Sequence, residues 1–370
     1  MNGGLPGQVA ECSCGETEVG RIRASWLCSP VRVAFALVLA LASTTRAEPR
    51  VEVFAAGLEA PWALAFTPDG RLLVTERPGR VRVVENGRLD PVPFVTLNVV
   101  AKGEAGLMGL APSPGFLDDH YLYVCYTAEK PGRLINRVAR LTVQGRRAGA
   151  EQIVLDDLPG ALDHDGCRVK FGPDGKLYVT TGDAAQPRLA QLRESLAGKI
   201  LRLNPDGTIP SDNPFPGSPV YSLGHRNPQG IAWDSAGRMF ASEHGPRGHD
   251  ELNHIVPGGN YGWPEVQGKA RDDRFLNPVV ESEDDPWNPS GLAFSGDDLY
   301  VATLRGRRLL RVTLVPDLSG ARVSALLART YGRLRDVIVG PDRALYVATS
   351  NRDGHGSPIR EDDRILRVIP

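Results

Sequence analysis

Residues able to do chemistry bunch in one stretch, Gly224–Pro264, GHRNPQGIAWDSAGRMFASEHGPRGHDELNHIVPGGNYGWP. Polar groups concentrated on loops between short apolar strands are what a rigid β scaffold presents at a binding mouth. Arg226 and Asn227 stand just before an apolar strand, with Gln229 close by. An arginine there offers a fixed charge for an oxyanion or a carboxylate, although on this segment alone a surface arginine in a turn is an equal reading. Asp163 and His164, in ALDHDGCRVKF, hold the matching place before an earlier strand. A histidine beside an aspartate suits general-base work near neutral pH, while a hydrogen-bonded structural histidine is the default for so short a signal. Arg333 and Arg335, in YGRLRDV, are two apart and share one face of an extended segment, which suits an anion with more than one carboxylate. Arg305, after LYVATL, adds a further positive group at a strand end.

Gly245 and Pro246 offer successive backbone carbonyls near Asp250 and Glu251, donors that suit a hard cation such as Ca²⁺. No DxDxDG-type loop is present, so such a site rests on scattered ligands. His244, His249 and His254 fall on opposite faces of a strand and lack an HExxH or CxxC context, which argues against zinc. A GxSxG elbow and a GxGxxG turn are both missing, against a serine hydrolase and a nicotinamide enzyme.

These loops need a scaffold, and the chain repeats one. An apolar strand, a Pro-Asp-Gly-like turn, a second apolar strand and a third strand rich in Arg and Leu or Val recur six times. The copies are Trp62–Val84, Gly106–Thr127, Arg168–Asp183, Gly230–Glu243, Gly291–Leu304 and Asp336–Ser350, the last five continuing into Arg137–Val143, Gly198–Leu203, Asp250–Ile255, Arg308–Leu314 and Asp363–Pro370. The PDG, SAG and GDD junctions are hairpin turns, because Asp and Gly tolerate positive φ. A period of roughly 45–60 residues of antiparallel strands predicts an all-β fold, a six-bladed β-propeller of four-stranded antiparallel blades. The strand in Arg50–Leu58 has no partner in its own unit and is expected to pair with the last blade and close the ring. Two β-sandwiches are the alternative, disfavoured by the regular period.

The chain has 370 residues, 41% of them hydrophobic and 24% charged, enough for a real core. A formal net charge of −1 gives no reason to expect nucleic acid or an anionic membrane as partner. Val33–Ala42 is an apolar run too short to span a bilayer; it follows Arg21, Arg23 and Arg32 and precedes the small-residue segment ending at Ala47. That is the layout of a secretory signal, so residues 1–47 are expected to be a signal or over-extended N-terminal region and 48–370 a single propeller domain, exported to the periplasm or beyond without stable membrane insertion. Of the two remaining cysteines, Cys125 lies in the strand YLYVCYT and reads as a buried apolar filler rather than as a disulfide partner of Cys167.

Taken together, GPDGKLYVTTGD, GHRNPQG, SEHGPRGHDELN, GGNYGWP and RLRDV resemble the glucose/sorbosone dehydrogenase family, from about Gly57 to the C-terminus. These are soluble aldose sugar dehydrogenases that use pyrroloquinoline quinone (PQQ). The resemblance implies oxidation of aldoses to lactones over the propeller channel. It implies that His164 is the general base for the anomeric hydroxyl as hydride passes to the quinone, and that Arg226 stabilises charge on the quinone oxygen with Asn227 beside it. By the same resemblance, Asp163, Arg333 and Arg335 would fall where the family contacts the cofactor. Gly245 and Pro246 carbonyls would hold a quinone-bound Ca²⁺, and Glu251 and Tyr261 a second, structural calcium. The implied partners are an aldose substrate and an electron acceptor of unassigned chemistry, acting on a monomer or homodimer.

Two positions depart from the family pattern. Glu104, in GEAGLMG, stands where a Gln contacts the quinone, and Arg305 where a Lys is usual. A carboxylate there repels a tricarboxylate cofactor unless it is paired, and Arg305 is the candidate offset. The rival readings are a propeller that binds partners after losing its cofactor, which Glu104 favours, and a calcium-dependent lactonase, which the arginine set does not suit.

Overall fold

The computed structural model describes residues 48–370; the expected signal, with Val33–Ala42, lies outside the described residues. Six antiparallel sheets form the blades of a propeller, each running from an innermost to an outermost strand in chain order, apart from the strand that closes the ring. The innermost strands are Pro61–Phe66, Leu107–Pro112, Gly166–Phe171, Pro228–Trp233, Pro289–Ser295 and Leu334–Val339, in blades 1 to 6. Blade 1 carries one extra short strand, Val95–Thr96, beside its third. Helix is confined to Phe116–Asp119 and a 3-10 turn at Pro187–Gln191 among the described residues.

The ring closes as the unpartnered first strand requires. Arg50–Ala56 pairs antiparallel with Arg364–Ile369 and becomes the outermost strand of blade 6. Asp363 fastens the join: its backbone exchanges hydrogen bonds with Leu58, and its carboxylate accepts from the N–H groups of Ala60, Asn351 and Arg352.

The turn aspartates explain why third strands are rich in arginine. In blade 3, Asp174 accepts from the N–H of Lys176, from the Tyr178 hydroxyl on the second strand, and from Arg202 Nε on the third. Asp342 repeats the pattern in blade 6 with Ala344, Tyr346 and Arg367. One carboxylate thus ties the turn to two strands.

The core lies between facing blades. Leu107, Leu110, Leu122 and Val124 of blade 2 pack with Val169 and Val179 of blade 3, all buried. Each such side chain contributes about 1.5–3 kcal/mol, more than a surface ion pair. At the axis the innermost strands come very close: a Cβ on Gly230 would lie 2.2 Å from the Ser290 carbonyl oxygen of the next blade. Side chains bridge the channel between blades. Arg168 of blade 3 meets Asp336 of blade 6 at 3.2 Å and stacks over Trp62, 4.2 Å from the ring centre.

Cys125 and Cys167 form a disulfide, with Cα atoms 5.6 Å apart. The reading of Cys125 as a lone apolar filler is therefore corrected. Its strand is the second of blade 2, and Cys167 opens the innermost strand of blade 3, so the bond joins neighbouring blades. Strand pattern alone does not reveal that two blades bring these positions together.

Candidate active site at the channel mouth

The loops leading into the innermost strands gather at one end of the channel. His164 sits on such a loop with φ 62°, followed by Gly166 and Cys167, also at positive φ. This tight path brings the His164 carbonyl against the segment after the second strand of blade 3. A Cβ on Gly182 would stand 1.8 Å from that oxygen, so the Gly of TTGD is a steric requirement.

The following residue, Asp183, is buried and orients the His164 imidazole. Its Oδ1 lies 2.8 Å from His164 Nδ1, and its Oδ2 accepts from Trp263 Nε1 at 2.8 Å. His164 Nε2 lies 2.8 Å from Arg226 Nη2, which can only donate. Nε2 is accordingly the acceptor, and the ring proton sits on Nδ1 facing Asp183. Neither Asp183 nor Trp263 was expected at the site from the sequence. The available signal was the carboxylate of TTGD, two residues past the end of the second strand of blade 3 at Thr181.

Arg226 also donates Nη1 to the His244 carbonyl at 3.2 Å, and its backbone N–H to Glu243. Its guanidinium faces the Trp263 ring, 5.5 Å from the centroid. Burial lowers its pKa, with Asp183 and Glu104 acting against that shift. His244 behind it is driven well below the usual histidine range by burial and by Arg226. Asn227 accepts from Gly166 N–H at 3.0 Å and reaches Glu104 Oε2 at 3.4 Å. The same Glu104 oxygen accepts the His164 N–H at 3.1 Å.

Arg333 and Arg335 do converge, and what they converge on is Asp353. Arg333 Nε donates to Asp353 Oδ2 at 2.8 Å, and Arg335 Nη2 lies 3.8 Å from that oxygen. Arg335 Nη1 donates to Gln229 Oε1 at 2.7 Å, and burial lowers its pKa to about 10.

Two expected site residues lie apart from this network. Asp163 is exposed and makes no hydrogen bond or ion pair with another described residue; its buried neighbour Asp165 turns inward instead, to Asn136 and Ala161 N–H. Arg305 is likewise exposed, without an acidic partner among the described residues. The expected offset of Glu104 by Arg305 is corrected: the positive groups that feel Glu104 are Arg77, Arg226 and Arg335.

The four expected calcium residues border one narrow cavity, shared with Arg226 and Glu243. Gly245 donates its N–H to Asp250 Oδ1 at 2.9 Å. Glu251 accepts from Asn253 and from Gly268 N–H, and its pKa rises to about 8 through burial and the nearby Glu243 charge. The Tyr261 hydroxyl is committed to the backbone, donating to His254 O at 2.6 Å and accepting from Val256 N–H. Among the described residues no group of three or more His, Cys, Asp or Glu side chains is arranged to hold a metal, so a cation here would depend on backbone carbonyls.

The His164 imidazole, its orienting carboxylate and the arginines share one mouth of a propeller. A model of the family described as Glucose / Sorbosone dehydrogenase matches residues 58–360. The chain belongs to the glucose/sorbosone dehydrogenase family. It is thus an oxidoreductase of that family, and the match runs through all six blades. Aldose sugar dehydrogenase YliI of Escherichia coli is 32% identical, over 87% of this chain and 97% of its own. A solved structure from Thermus thermophilus is 49% identical with a TM-score of 0.82, covering 87% of this chain and all (100%) of the other. The PQQ-bound aldose sugar dehydrogenase of Streptomyces coelicolor is 42% identical, also at TM-score 0.82, over 88% of this chain and 99% of its own. In this glucose/sorbosone dehydrogenase family member, the loop that carries His164 is additionally pinned to blade 2 by the disulfide at Cys167.

Proposed function

We propose that the protein oxidises aldose sugars to lactones with PQQ as cofactor. The observation that carries this reading is His164, its Nδ1 held by Asp183 and its Nε2 turned to Arg226 at the channel mouth. The residues present fit the cofactor. Arg333 and Arg335 would hold its carboxylates, and buried Nε atoms on Arg77 and Arg335 lack acceptors among the described residues. Asn227 and Glu104 would border it; Asp163 is the outermost candidate. Bound PQQ supplies a two-electron, hydride-accepting quinone. A Ca²⁺ at the Gly245 and Pro246 carbonyls would supply Lewis acidity, and Glu251 and Tyr261 would flank a second ion.

The chain's own residues supply the proton chemistry. His164 Nε2 removes the proton from the anomeric hydroxyl, and the buried Asp183 carboxylate stabilises the resulting imidazolium while fixing the tautomer. Arg226 presents a fixed positive charge where negative charge develops. The aldose loses two electrons and two protons overall and leaves as lactone.

Glu104 does not count against catalysis, since it is hydrogen-bonded and lies among arginines. We further place the protein outside the cytoplasm, in the periplasm or beyond; the Cys125–Cys167 bond supports an oxidising compartment. Incubating the PQQ- and Ca²⁺-loaded protein with an aldose labelled at the anomeric carbon, and following that carbon by NMR, tests the reaction. Lactone formation that requires PQQ is expected. Lactone hydrolysis without quinone, or an unchanged aldose, would overturn the reading.

A further inference from the structure

Arg77 follows the second strand of blade 1, Leu72–Glu76, and so stands at the same end of the channel as His164. Its Nη1 donates to the backbone carbonyl of Asp353 at 3.3 Å. The carboxylate of the same residue receives Arg333 at 2.8 Å and has Arg335 at 3.8 Å. Three guanidiniums therefore meet around a residue with a single negative charge. Burial alone would raise the Asp353 carboxyl, yet Arg335 and Arg333 hold it below the usual carboxylate range.

The other nearby carboxylate is Glu104, felt by Arg77 and by Arg335. It accepts from the His164 N–H and from Asn227 rather than from either arginine. Arg77 Nε and Arg335 Nε are both buried without an acceptor among the described residues. Buried guanidinium donors normally find one, so acceptor oxygens are what this mouth lacks. Arg305 cannot serve here, because it is exposed and does not join the cluster.

We propose that Arg77 is a third anion-binding guanidinium of the mouth, whose positive charge offsets the charge of Glu104 and so admits a ligand with several carboxylates. This rests on the PQQ reading above and adds a binding residue to it. Asp353 acts as the positioning carboxylate that keeps the three like charges at fixed places. Arg77 thereby offsets the charge that Glu104 brings to the mouth.

The test is equilibrium titration of PQQ, with Ca²⁺ present, into the full chain and into Arg77→Gln, Arg77→Lys, Glu104→Gln and the double variant Arg77→Gln/Glu104→Gln. Melting temperatures of the ligand-free proteins are recorded alongside. Arg77→Gln is expected to weaken PQQ binding about 10- to 100-fold, the range for losing a charge-assisted contact, with little change in melting temperature. Arg77→Lys should recover part of the loss, and should answer the question in place of Arg77→Gln if the latter does not fold. Adding Glu104→Gln to Arg77→Gln should restore most of the binding, since the charge that needed an offset is gone. Binding by Arg77→Gln within twofold of the parent would overturn the proposal, as would a double variant no better than the single one. If the parent takes up no PQQ, the functional reading fails, and Arg77 is judged with citrate as probe. A citrate-dependent rise in melting temperature that Arg77→Gln lacks upholds the anion site; equal rises, or none, overturn it.

Discussion

The imidazole of His164 has its two nitrogens sorted by what surrounds them: a buried carboxylate on one side, a donor-only guanidinium on the other. Replacing Asp183 by Asn puts a donor where an acceptor is needed and favours the tautomer with its proton on Nε2, the wrong nitrogen for a base. Asp183→Asn is expected to lower kcat about 10²- to 10⁴-fold while leaving PQQ binding nearly unchanged, as steady-state kinetics and a binding titration would show. His164, Arg226 and Arg333 were legible in the sequence because each sits in a short polar motif immediately before an innermost strand, and Arg335 because it stands at the start of one. Asp183, Trp263, Arg77 and Asp353 were not, because each reaches the site from a strand end or turn on another part of the chain. Asp163 was expected at the cofactor from its place in DHD, but its neighbour Asp165 is the one turned inward.

Asp165 also carries a pH signature. Burial pushes its carboxyl up to about 6, from an unfolded value of about 3.9. The folded state then holds the proton more tightly, so this contribution to stability is full below the unfolded value and is lost as pH rises through 6. Asp165→Asn removes the ionisation. Relative to this variant, the parent should lose about 1–3 kcal/mol between pH 4.5 and 7 in denaturant melts; a constant difference across that range would contradict the assignment.

At the scale of elements, the disulfide is the feature that strand pattern could not foretell. It closes a loop with a sequence separation of 42 and anchors the residue three beyond His164 to the second strand of blade 2. Cys125→Ser/Cys167→Ser should cost about 2–4 kcal/mol in chemical denaturation. Because the bond pins the loop that carries His164, the proposed base, kcat should fall further than KM rises. A loss of stability with unchanged kinetics would show that the loop is held without it. The turn aspartates are the converse case: their place in PDG-type junctions was plain from sequence, and their ties to Tyr and Arg on the next two strands follow once the hairpins form.

For the whole molecule, periodicity alone fixed the blade count, because no unit can bury both faces of its sheet without neighbours. The closing strand was legible for the same reason: Arg50–Ala56 had no partner in its own unit, and the last blade lacked an outer strand. Deleting residues 48–56 leaves that edge bare and should lower stability by about 2–4 kcal/mol, seen as an earlier denaturation midpoint. The distribution of charge around the channel mouth was less legible, since arginines from blades 1, 4 and 6 meet only in the closed ring.

Quinone-dependent sugar oxidation with His164 as base is the activity proposed for this protein. Its most direct test is reconstitution of residues 48–370 with PQQ and Ca²⁺, followed by dye reduction on a panel of aldoses, with His164→Ala in parallel. PQQ uptake by both proteins with turnover in the parent alone is the predicted result. Bound PQQ with equal turnover in His164→Ala would contradict the assignment of the base. Failure of the parent to take up PQQ would contradict the account as a whole.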